Sequence, residues 1–335
     1  TGLALAGCYS GSVVYYELPA EFRNPEKKKQ FIVKYSPYLK GKKIFLDPGH
    51  GGSDRRNKGY QGITVEADAN LNVALALRDF LLEAGAVVIM SRSTDATVDL
   101  KERSYMADRS GADIFISIHH NAPADSGNNW TNYTATYYHA KETDYEYEPS
   151  ERDMARYVQR DLAYAMRNSG GPESFDGTYS DYMIYPGQGF SVLRVTQIPS
   201  ILVECGFHTN THEEKRLAIE EFNRIEAWGI FRGLARYFAA GIPEIKFTDE
   251  DSSFVEGDQT FNFLISDSSG IDPASVFVYF DSSAVLNFTL SESNPALLSV
   301  SIPGVKAGKH IVRIIAANNK KNHAFPFHKE ITVLK

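Results

Sequence analysis

Four polar residues in this chain could do hydrolytic chemistry together: His50, Glu66, His119 and Glu204. Two imidazoles and one carboxylate, with a fourth position left to water, make a catalytic zinc set rather than a structural one. Zinc lowers the pKa of its bound water toward neutrality and polarises a carbonyl. A second carboxylate is then needed to take a proton from that water and pass it to a leaving amine. Glu204 is the candidate for that role. The four are scattered, and no compact HExxH segment is present, so the fold must bring them together.

Each is placed by a neighbouring element. Ile44 to Leu46 is a short apolar run that predicts a buried strand. Pro48 and Gly49 stop it, and Gly51 and Gly52 allow a sharp turn, so His50 is expected on a loop just past the strand. Open α/β sheets place their ligand sites at that end. After the polar stretch Ser53 to Gly62, a helix is predicted from near Val65, with Val73, Leu77, Phe80, Leu81 and Ala84 on one face and Gly85 ending it. Glu66 falls in its first turn, where the helix dipole favours a carboxylate even without a further role. Val87 to Met90 predicts a second strand, and Leu100 to Ser110 a helix closed by Gly111.

Asp113 to Ile118 is the clearest strand, with His119-His120-Asn121 at its end. Side chains alternate across a strand, so one of the two histidines is expected to face the site. Thr134 to His139 predicts another strand, Lys141 to Pro149 an acidic loop, and Glu151 to Asn168 a helix. Gly170 to Gly189 is a long loop of the kind that borders a cleft. The strand Ser200 to Glu204 runs straight into its carboxylate, which either pairs with a cation or works at the mouth of the sheet. Cys205 reads as a small buried hydrophobe. A helix from Glu213 through Phe238 closes the domain. Strands alternating with helices predict an α/β fold, a mostly parallel sheet with helices on both faces.

The segments Asp47-Pro-Gly-His-Gly-Gly52, Glu66 ahead of Asn70-Leu71, Arg92, Arg103, Ala112 through His119, Asn121-Ala122 and Pro199 through Glu204 resemble the zinc-dependent N-acetylmuramoyl-L-alanine amidases. Gly206-Phe207 and Asn210 fit the same pattern, and the likeness runs in order from about Lys42 to Phe238. The resemblance implies that His50, Glu66 and His119 bind one zinc ion per chain and that Glu204 is the catalytic carboxylate. It implies hydrolysis of the amide joining N-acetylmuramic acid to L-alanine in peptidoglycan, in cell-wall remodelling, daughter-cell separation or recycling. Asn121 and Arg103, within the matched segments, are candidate substrate-binding residues. His120 departs from the family, which usually has a small residue there, and it competes with His119 as a ligand. Little room exists between Tyr138 and Glu151 for the long site-blocking insertion of some members.

The formal net charge of −7 argues against a nucleic-acid partner, and 43% hydrophobic with 23% charged residues is ordinary for a globular protein. Residues 1–40 form an N-terminal segment, and 41–241 the catalytic domain. Leu5-Ala6-Gly7-Cys8 has the form of a bacterial lipobox, implying export to the periplasm or cell envelope and a membrane tether through lipidated Cys8. An ordinary run of small residues is the alternative. Glu26 to Lys29 reads as a solvated turn or helix face. Residues 244–335 change character: seven short strands with turn signals between them predict an immunoglobulin-like sandwich, either a wall-binding or spacer module or a stabilising appendage. The competing functions are a zinc peptidase that cuts the stem peptide and a catalytically silent wall-binding protein. Peptidoglycan is the expected partner in each case, with any protein activator unspecified.

Overall fold

The computed structural model describes residues 4–9, 12–249 and 253–335, with side chains from Val14 onward. The chain divides into two compact units. One runs to Tyr147 and resumes over Met154–Ala239, and the other comprises Glu148–Asp153 with Ala240–Lys335.

The first unit is built on a six-stranded sheet in the order Val87–Met90, Lys43–Pro48, Ile114–Asn121, Ser200–Phe207, Ala135–Tyr138, Thr178–Ser180. The first four strands are parallel. Parallel strands covered on both faces read as continuous apolar runs, and Ile44, Phe45 and Leu46 are all fully buried. Phe45, Phe115, Tyr137 and Leu202 cluster with Ala107, Val192 and Leu193 of the helices Leu100–Ser110 and Ser191–Val195. By alternation Ile44, Leu46, Ile116 and Val203 turn to the opposite face. There the Glu66–Glu83 helix packs, and its Phe80 ring lies 5.2 Å from Trp228 of the long helix Glu220–Ala240.

Two features differ from expectation. Ala135–Tyr138 runs antiparallel to Ser200–Phe207, so the sheet is mixed. Residues 122–134 hold no helix, so the chain turns back at one end of the sheet instead of crossing over a face. The closing helix is two helices, Glu213–Leu217 and Glu220–Ala240. Asn223 Nδ2 donates to Leu217 O at 3.1 Å and satisfies the carbonyl that the break exposes. The Glu26–Lys29 run lies in a full helix, Pro25–Leu39. Asn24 caps it by accepting from Glu26 N at 3.0 Å, Pro25 starts it, and its Phe31 ring packs 5.4 Å from Trp228.

Ala4–Tyr9 and Ser12–Glu17 pair as an antiparallel hairpin, which puts the backbone of Leu5 to Cys8 in a strand. The Cys8 side chain lies outside the described residues. Beyond it Val14, Tyr16 and Leu18 are buried, and the Tyr16 hydroxyl donates to Glu221 Oε2 at 2.6 Å.

The second unit has a five-stranded and a four-stranded sheet. Phe261, Phe263 and Ile265 of the strand Gly257–Ser266 alternate inward and share one core with Leu298, Val300, Val312, Ile314 and Ile331 from both sheets. All seven expected strands are present, together with the short Phe254–Val255 and Ser283–Val285.

Candidate metal centre

His50 stands two residues past Pro48 with φ 58°, a left-handed conformation that costs a residue with a Cβ. Two buried guanidinium groups hold the turn in that shape. Arg92 donates from Nε to Pro48 O at 2.9 Å and from Nη2 to Gly49 O at 2.8 Å. Arg103 donates from Nη1 to Pro48 O at 2.8 Å and from Nη2 to His50 O at 2.8 Å. Arg103 Nη1 also pairs with the buried Asp47 at 2.7 Å, and Asp47 accepts from the Ser91 and Ser117 hydroxyls. Carbonyls that leave a strand with no ladder partner need such donors.

Arg103 is thus 5% exposed, with its guanidinium committed to the turn's carbonyls and to Asp47. Arg103→Lys should lower stability by about 1–3 kcal/mol, because one ammonium cannot replace this fork of donors. KM of the folded molecule should not change. A raised KM with an unchanged melting temperature would instead mark a substrate-binding role.

Around His50 three ligand-type atoms converge. His50 Nε2 lies 3.1 Å from Glu66 Oε2, and His119 Nδ1 lies 3.0 Å from Glu66 Oε1. One atom from each of the three residues fits within 4.8 Å of the others. Glu66 opens its helix and is 2% exposed, whereas both imidazoles keep an open edge. His50 Nδ1 faces Asp54 Oδ2 at 2.8 Å, and Asn57 Nδ2 donates to Glu66 Oε2 at 2.7 Å. An imidazole that donates its far N–H to a carboxylate turns a lone pair to the near side, the usual arrangement around a metal ligand. Gly49 makes room for His119, since a Cβ on Gly49 would fall only 2.1 Å from the imidazole Cε1.

The electrostatics call for a cation. Burial works against a charged His50, but the carboxylates of Glu66 and Asp54 outweigh it and raise the pKa to about 9. Burial likewise disfavours the Glu66 anion, yet His119 and His50 hold its carboxyl well below the usual range. A lone pair and a carboxylate oxygen 3.1 Å apart repel unless positive charge lies between them. A proton or a metal ion meets that need, and the donor set of two imidazole nitrogens and one carboxylate oxygen suits zinc.

Glu204 is the register partner of His119 on the adjacent parallel strand, which puts both side chains on one face. The residue keeps a partly open face, but its Oε2 is sealed from solvent and accepts no hydrogen bond from the described residues. Burial, reinforced by Glu66, pushes its carboxyl well above the ordinary range. Asn121 is half-buried at the same strand end, where its Oδ1 accepts from Ala122 N at 2.8 Å. His120 points away from the centre, to Asn70 and Glu226. Asp54 and Asn57 were not singled out from sequence; only their place in the polar stretch after His50 hinted at them.

The family profile for N-acetylmuramoyl-L-alanine amidase matches residues 44–236, more than half of the chain. The chain belongs to this family. Amidases of this family are generally zinc-dependent. A germination-specific N-acetylmuramoyl-L-alanine amidase from Bacillus subtilis is 32% identical over 215 residues, covering 60% of this chain and 81% of that protein. The crystal structure of an N-acetylmuramoyl-L-alanine amidase from Clostridium difficile superposes with a TM-score of 0.51 at 30% identity, over 59% of this chain and 97% of that one. The CwlD amidase of Clostridioides difficile, solved in complex with the GerS lipoprotein, gives a TM-score of 0.50 at 27% identity, over 59% of this chain and 99% of that one.

Proposed function

We propose that this chain hydrolyses the amide between N-acetylmuramic acid and L-alanine in peptidoglycan, at one zinc ion held by His50, Glu66 and His119. The convergence of those three side chains beside an unpartnered carboxylate carries the reading. A zinc ion bound there would supply a Lewis acid and an acidified water. Asp54 and Asn57 keep His50 and Glu66 oriented toward that position. The Glu204 carboxylate, whose side chain keeps a partly open face, takes the proton of the attacking water and returns it to the departing L-alanine nitrogen.

Metal analysis of the purified chain, coupled to a digest of purified peptidoglycan, tests this. The expected products are intact stem peptides with a free L-alanine amino terminus and one zinc per chain. Fragments cut within the stem would instead identify a peptidase, and no release at full zinc occupancy a silent wall-binding protein.

The site of action is the cell envelope, and Leu5-Ala-Gly-Cys8 supports a lipid tether there. Cleavage before Cys8 would remove the rungs Ala4↔Glu17 to Gly7↔Val14 of the hairpin and leave only two. Mass spectrometry of the native protein should find diacylglycerol on an N-terminal Cys8, and an unmodified Cys8 would remove the tether. The C-terminal unit is read as an immunoglobulin-like sandwich, supported by the one core its two sheets share.

A further inference from the structure

The tandem histidine leaves one imidazole outside the centre. His120 and Glu226 have side chains with no exposure, and a buried polar pair of this kind is costly unless fully partnered. His120 Nδ1 lies 2.7 Å from Asn70 Oδ1, and its Nε2 lies 3.0 Å from Glu226 Oε1. The other oxygen of Glu226 accepts from Asn223 Nδ2 at 3.0 Å. On its far side Asn70 donates from Nδ2 to Gly49 O at 3.2 Å and to Glu66 Oε1 at 3.3 Å. Both of those partners only accept, so the amide oxygen of Asn70 must face His120, and His120 Nδ1 must donate to it. The backbone N–H of His120 also donates to Glu66 Oε1 at 3.2 Å. One residue therefore reaches the same carboxylate oxygen twice, directly and through Asn70.

Cys205 lies within ligand distance of His120 and Glu226, so the three could be taken for a second metal site. Two facts oppose that. Both ring nitrogens of His120 are already engaged. Burial, with Glu226 and Glu204 adding to it, pushes the Cys205 thiol well above its usual range, where it is a poor ligand.

We propose that Glu226 and His120 are positioning residues that act through Asn70 to fix Glu66 Oε1, and so set how tightly the centre holds its cation. The terminal torsion of a glutamate is soft, and donors on one oxygen fix the plane in which the carboxylate meets a metal. This inference rests on the zinc reading of His50, Glu66 and His119.

The test uses the full chain, stripped of metal, with zinc affinity measured by chelator competition and the visible spectrum recorded with cobalt. His120→Leu and Glu226→Gln should each weaken zinc binding by about 10–100-fold and alter the cobalt bands. The double variant should be little worse than the weaker single one, because both act along one route. His120→Asn places an amide N–H where Nδ1 was but does not reach Glu226, so it should bind zinc more tightly than His120→Leu and no better than Glu226→Gln, an order that a merely space-filling role would not predict. Melting of the metal-free forms checks the fold. If His120→Leu does not melt cooperatively, the isosteric Glu226→Gln carries the test alone. Unchanged affinity in a folded variant overturns the relay while the parent's zinc stands. A second zinc lost on Cys205→Ser also overturns it, and a parent that binds no zinc removes the metal reading with it.

Discussion

Glu204→Gln is expected to keep its full complement of zinc and to lose peptide release by about 10²–10⁴-fold, the usual contribution of general acid–base assistance. The substitution keeps the shape of the side chain but removes its ability to accept a proton. The zinc ligands are untouched, since His50, Glu66 and His119 make their contacts without Glu204. KM should move far less than kcat, as expected of a group that acts in the transition state. Stability gives the contrasting readout. Glu204 Oε2 has no hydrogen-bond partner, so the native state draws no stabilising contact from it that glutamine would lose. The melting temperature should hold or rise. A buried structural partner would behave in the opposite way, with a lower melting temperature and nearly intact release per folded molecule. Zinc content, melting and release measured on one sample decide between them.

The centre was legible because its residues sit at breaks in strong patterns. His50 and His119 close apolar strands, Glu66 opens a helix, and Glu204 interrupts the run Ile201 to Cys205. Period-two alternation also separates His119 from His120, and the structure turns the two to different partners. What supports the centre was not legible. Asp54 and Asn57 are ordinary polar residues in a loop, and only the fold brings them to His50 and Glu66; Asn70 stood in a matched segment, but its bond to Glu66 appears only in the fold. Arg103 was a substrate-binding candidate only through its place in the segments that resemble the family. Its guanidinium answers the carbonyls of a strained turn, a need that exists only once His50 has adopted its left-handed conformation.

The elements follow the same division. Helices with clear start and stop signals, such as Leu100–Ser110 with its Asp99 cap and Gly111, lie where periodicity puts them. Pro25–Leu39 was obscured by Pro37, which removes one backbone donor from the helix, although Asn24-Pro25 is a strong start signal. The reversed strand Ala135–Tyr138 carries no mark of its direction in its own residues, since direction is set by the connection before it.

His119→Ala should abolish zinc retention and release together, without unfolding the protein. The imidazole is one of three groups converging on the proposed ion, and alanine leaves Glu66 Oε1 with only Asn70 Nδ2 and the His120 N–H. A site with one imidazole and one carboxylate keeps too few donors to compete with chelator or water. His120 cannot stand in. Its ring is on the other face of the strand, paired with Glu226, and bringing it over needs a one-residue slip of Ile114–Asn121 against both neighbouring strands. Such a slip would move Phe115, Ile116 and Ile118, all fully buried, to the wrong faces. Folding should survive, because the His119 ring is partly exposed and alanine keeps the strand's backbone pairing. Dialysed His119→Ala protein should therefore show native far-ultraviolet circular dichroism, no bound zinc and no released peptide. Gly49→Ala approaches the same ring from the other side, and displacing the imidazole should weaken zinc in the same direction. Stoichiometric zinc in His119→Ala would sink the assignment and return His120 as the ligand.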